Sequence, residues 1–159
     1  MTQRGFSTEA AAIALGLGGV GQVAGRIGYG VLVRRISVVP RTVLVISCIA
    51  ITTALLGVVT SFAALVVVAV FSGVARGIKT LLQATAVTER WGPTHYGHLS
   101  GILSAPVRPA TALGPWIGAV LASLLGGYSQ MFLALGAVGV VAAVVAVASN
   151  TPLARRRHA

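Results

Sequence analysis

Ser72, Arg76, Lys79 and Gln83 follow one another at spacings of 4, 3 and 4, so on a helix all four project from one side. The stretch that carries them, Phe62 to Thr88, is otherwise apolar, with Leu65, Val66, Val67, Val68 and Ala69 in its first half. Its 27 positions span roughly 40 Å at about 1.5 Å per residue, enough to cross a hydrocarbon core about 30 Å thick. Arg76 and Lys79 therefore lie deep in a membrane, where an ionisable side chain costs about 2.5 to 3.5 kcal/mol on insertion scales and normally faces protein or water. Two roles fit such a charge: contact with a solute on a transport route, or a structural charge held by carbonyls or a partner helix.

Two further stripes repeat the pattern. Gln22, Arg26 and Tyr29 stand at spacings of 4 and 3 in a glycine-rich apolar stretch, and Ser104, Arg108, Thr111 and Pro115 at 4, 3 and 4 in a proline-rich one. Arg26 has an alternative, since a long side chain near a helix end can snorkel to the interface. Pro106, Pro109 and Pro115 each remove a backbone donor and bend or unwind a helix, and the carbonyls they free help to solvate Arg108. Arg76, Lys79, Arg108, Arg26, Gln22 and Gln83 are the candidate substrate contacts, and their charge favours an anionic solute.

Composition agrees with a membrane setting. Of 159 residues, 56% are hydrophobic and 9% charged, against about 25% charged in soluble domains; the mean hydropathy is +0.92. The net charge of +10 comes from 12 Lys and Arg against Glu9 and Glu89. No interleaving of aromatic and basic residues marks a nucleic-acid surface, and the bases fall between the apolar stretches, as topology signals do. Cys48 is the single cysteine and there is no Asp. No catalytic constellation emerges: His95 and His98 lie in a loop without a carboxylate partner, and no strand precedes a glycine-rich phosphate cradle. Neither an enzyme activity nor a cofactor is expected.

The elements that position the stripes read as an all-α bundle of about five membrane spans forming a single transmembrane domain over 1–159: 8–33, 42–59, 62–88, 97–125 and 129–148, followed by a basic tail, 150–159. Ser7 or Thr8 suits an N-cap, with Glu9 favourable in the first turn. Gly21 and Gly25 have the spacing that lets a neighbouring helix approach closely. The turns at 60–61 and 126–127 carry no basic residue, whereas the loops with Arg34, Arg35, Arg41 and Arg90 and the tail with Arg155, Arg156 and Arg157 collect seven. Basic loops stay in the cytoplasm, which puts the N-terminus outside and the C-terminus inside a multi-pass protein of the cell membrane. Glu9 and Glu89 are expected too far from Arg76 to pair with it.

Gly25, Arg26, Gly30, Arg34 and Arg35, closing a glycine-rich helix before a short basic loop, resemble the loop signature of the major facilitator superfamily in its second-half copy. That signature has an Asp before its last basic residues, where Val33 and Arg34 stand here. Arg76 and Gly77 resemble the family's arginine-bearing fourth-helix motif in its repeat, and Gly114, Pro115 and Gly118 its glycine-proline helix motif.

The resemblance covers nearly the whole chain and implies spans eight to twelve of a twelve-helix secondary transporter. It implies transport of a small solute by a chain that requires a missing N-terminal half or partner helices, being either a truncated or split reading frame or a subunit that assembles with others. The competing expectation is a non-transporting membrane fragment or assembly subunit whose buried cations pair structurally. Besides the solute and such helices, the lipid bilayer is the expected partner.

Overall fold

The computed structural model describes residues 5–150, apart from the side chains of residues 90, 149 and 150. The run Arg155 to Arg157 lies outside the described residues. The described chain is helical without a strand: α1 Thr8–Arg35, α2 Val38–Val58, α3 Phe62–Trp91, α4 Tyr96–Ser104, α5 Val107–Leu124 and α6 Tyr128–Asn150. Four of these, α1, α2, α3 and α6, are long and apolar enough to cross a membrane.

Local chemistry explains the boundaries. The Ser7 hydroxyl accepts from the Ala10 amide at 3.1 Å and so caps α1, which has Glu9 in its first turn and Arg34 and Arg35 in its last. Both charge placements complement the helix dipole. α2 starts at Val38, four residues before the expected Thr42. Pro40 falls in its first turn, where the donor it lacks would have no partner in the helix anyway.

Proline acts differently in the fourth span, which is divided between α4 and α5. The amides missing at Pro106 and Pro109 would have reached the carbonyls of Ile102 and Ala105, on either side of the break after Ser104. Pro115 stays inside α5. At the next turn the Gly127 amide donates to the Ala122 carbonyl at 2.8 Å. Gly126 and Gly127 have φ of 81° and 146°, left-handed values that a side chain would strain and that let the chain reverse into α6.

Two helix pairs form the bundle. α1 packs on α3 and α2 on α6, with α2 also against α3, while α4 and α5 pack loosely at the side. α1 and α3 run parallel: Phe6 meets Phe62 with ring centroids 5.8 Å apart, and further along the Tyr29 and Thr85 hydroxyls are 2.7 Å apart. A Cβ on Gly21 or Gly25 would strike the backbone of Val70 or Val74, and one on Gly73 or Gly77 would strike the carbonyl of Gly18 or Gln22. Each helix thus presents two glycines four apart to the other's backbone, a contact no larger residue permits. α2 and α6 run antiparallel and meet through Gly136 against Ala54 and Gly139 against Ala50, where an added Cβ would lie 2.7 Å from the alanine methyl in each case.

A candidate solute cleft beside a buried ion pair

Beside the close α1–α3 contact, at the end from which both helices start, the bundle opens into a cleft of about 790 Å³. One wall is α1, with Leu15, Gly19 and Gln22; a second is α3, with Leu65, Ser72 and Arg76. The start of α6 closes it with Tyr128, Gln130 and Phe132, next to the Gly126–Gly127 turn. The parallel packing sets this geometry. It brings Gln22 alongside Gly73 and Gly77, so the polar sides of α1 and α3 face one space.

Arg76 is exposed although it lies about 14 residues, roughly 21 Å, into α3. Among the described residues no hydrogen bond or ion pair engages its guanidinium, and only its carbonyl is used, accepting from the Thr80 hydroxyl at 2.8 Å. Ser72, one turn earlier, is 6% exposed and turned to the same cleft. An arginine fork with neutral amide and hydroxyl groups beside it is suited to an oxyanion.

Of the six candidate contacts, Gln22 and Arg76 line the cleft and the other four do not. Lys79 is exposed on α3 and Gln83 half-buried deeper along the same helix. Arg26 is exposed one turn beyond Gln22, on the same side of α1. Arg108 is exposed in the first turn of α5, and the break at Pro106 leaves it on the loosely packed flank. Tyr128 and Gln130, at the mouth of the cleft, went unnoticed in the sequence. They open an apolar helix, with no polar periodicity to mark them.

The sequence reading also placed Arg41 in a loop, and this needs correction. Because α2 starts early, Arg41 lies in its first turn, is 1% exposed, and pairs with Glu89 on α3 at 2.5 Å. Its guanidinium carbon sits 5.4 Å from the centre of the Tyr29 ring, and its Nε is buried without a hydrogen-bond partner. Tyr29, from the Gln22–Arg26 stripe, is therefore a packing residue joining α1, α2 and α3 at the end opposite the cleft. Glu89 does not reach Arg76; it serves a different arginine.

These observations meet those of comparison with known proteins. The family model of the Major Facilitator Superfamily matches residues 1–158, and the chain belongs to that superfamily of membrane transporters. It is thus a multi-pass membrane protein of a transporter family rather than an enzyme. No curated protein and no solved structure is matched.

Proposed function

We propose that the cleft between α1, α3 and the start of α6 is part of the solute route of a secondary transporter and that Arg76 contacts an anionic solute there. The observation that carries this reading is an unpartnered, exposed arginine deep within a membrane-length helix, at the wall of a small-molecule-sized cleft. Glu89, the acid that comes nearest the bundle's interior, is already held by Arg41. The charge on Arg76 is then met by water, by solute or by further protein.

The cleft opens outward in this reading. The loop-charge asymmetry puts the starts of α1, α3 and α6 on the outer side, and Arg34, Arg35 and the Arg41–Glu89 pair on the cytoplasmic side. Arg26 and Lys79, exposed on α1 and α3 at membrane depth, need cover that the chain itself does not give. Further transmembrane segments, from a preceding half or a partner, complete the route.

Two measurements test this. In a Cys48→Ala background, single cysteines at Ser61 and at the exposed Leu125 will both react with an impermeant thiol reagent added to intact cells; reaction from the cytoplasm alone reverses the orientation. Anion uptake in the native host, counted per inserted molecule, will be abolished in Arg76→Ala and only partly restored in Arg76→Lys, which keeps the charge but loses the planar fork. Unchanged uptake per molecule in Arg76→Ala removes this residue from the route.

A further inference from the structure

We propose that the cleft selects a singly charged anion with an apolar body, an inference that rests on reading Arg76 as an anion contact. Sequence spacing offers four cations at membrane depth, but of these four only Arg76 reaches the cleft wall among the described residues. The other polar side chains lining the cleft, Gln22, Ser72, Tyr128, Ser129 and Gln130, are neutral. Their N–H and O–H groups donate to an oxyanion without adding charge.

Charge balance decides the valence. One guanidinium fork matches one carboxylate through two parallel hydrogen bonds. A dicarboxylate or a phosphate dianion would bring a second negative charge into a space where the described residues place no second cation, and leaving water uncompensated is costly there. A neutral solute fares badly for the opposite reason, because it would strip water from the guanidinium without supplying a counter-charge.

Wall chemistry decides the rest of the molecule. Leu15, Leu65 and Phe132 give the cleft apolar sides, and its volume of about 790 Å³ falls within the range of about 300 to 1,000 Å³ usual for small-ligand pockets. A small inorganic anion would leave most of that space to water and the apolar walls unused. A monocarboxylate carrying an aryl or branched alkyl group fills it, with the carboxylate at Arg76 and the body between α1 and α6.

The test uses the full 159-residue chain in nanodiscs of zwitterionic lipid, titrated calorimetrically with four probes against empty-nanodisc blanks. The probes are 3-phenylpropionate, its neutral amide, the dianion phenylsuccinate and inorganic phosphate. Saturable binding of 3-phenylpropionate at least tenfold tighter than the other three is expected, with Phe132→Ala weakening it several-fold and Arg76→Gln weakening it tenfold or more. If phenylsuccinate or phosphate binds as tightly and still depends on Arg76, the valence and body inference is overturned while the anion contact stands. If no probe binds, or binding is the same in Arg76→Gln, the anion contact itself fails. Should the variants not fold, the order of the four probes on the unaltered chain decides the solute class.

Discussion

α1 with α3 and α2 with α6 are both pairs of membrane helices held by small residues, yet they differ in what the closeness achieves. In the first pair glycine meets backbone: Gly21, Gly25, Gly73 and Gly77 each sit where a single added carbon would strike the opposite main chain. In the second, Gly136 and Gly139 meet the methyl groups of Ala54 and Ala50, and main chain is met at Gly57, next to the Ser129 carbonyl at the start of α6. The first pair carries the polar groups, Gln22, Arg26, Arg76, Lys79 and the Tyr29–Thr85 contact. The second is apolar almost throughout, and α6 shows lipid-compatible side chains on every side. Lipid tails are as apolar as leucine, so helices in a bilayer gain little from hydrophobicity and depend on close packing. The α1–α3 contact fixes the register of two polar stripes, whereas the α2–α6 contact fixes a scaffold behind them.

The sharpest way to break this contrast is to widen both contacts equally. Gly77→Leu is expected to lose nearly all folded protein, because the obstacle is the Gln22 carbonyl, which moves only if α1 moves. Ordinary overpacking costs about 1 to 3 kcal/mol, and a main-chain collision in the centre of a helix pair lies above that range. Gly139→Leu is expected to cost less, with α6 sliding outward from Ala50. Monomeric protein recovered in mild detergent, and its thermal unfolding temperature, will rank the two; an equal or reversed ranking would remove the distinction.

A smaller but more local effect is expected at the opposite end of the first pair. Glu89→Gln leaves the Arg41 guanidinium buried with no counter-charge. Losing one partner of a buried pair costs about 3 to 5 kcal/mol, and the lower end applies because the Glu89 side chain is 24% exposed. Replacing both residues, Arg41→Met with Glu89→Leu, should recover most of that stability, since no charge is then stranded. If the single and double variants unfold alike, the pair matters for something other than charge compensation.

How far the sequence foretold this arrangement depends on the kind of signal. Helix class and membrane setting followed from long apolar runs, and the Gly21–Gly25 contact from spacing alone, because a four-residue small-residue repeat has one common structural use. The ion pair was hidden for a specific reason: Pro40 looks like a loop residue, but in a first helical turn it is harmless, and four residues of helix were assigned to a loop. That shift also hid Arg41, which as a loop residue would have faced water. The cleft was half legible. Helical spacing placed Ser72 and Arg76 together, but periodicity within one helix says nothing about which neighbouring helix it faces. It therefore counted Lys79, one turn beyond Arg76 and outside the cleft, and Arg108, on the loosely packed flank, among the contacts, and could not supply the α6 side of the cleft.

The smallest expected effect sharpens the comparison from within α1, by separating glycines that make a contact from those that do not. An alanine Cβ at Gly28 or Gly30 would meet nothing within 4 Å, although these glycines belong to the same dense series as Gly21 and Gly25. Glycine in a helix interior is weaker than alanine by roughly 0.5 to 1 kcal/mol, through the extra backbone freedom it gives up on folding. Gly28→Ala and Gly30→Ala should therefore leave folded yield unchanged and raise the unfolding temperature slightly, whereas Gly25→Ala, within a turn and a half of both, should lower it because its Cβ collides with Val74. If Gly28→Ala and Gly30→Ala, on opposite sides of α1, instead destabilise the chain as much as Gly25→Ala does, then neither side is open in the membrane. The covering helices inferred from Arg26 and Lys79 would in that case reach as far as the glycines near its Arg34–Arg35 end, and their position on α1 would be read directly from which substitutions are tolerated.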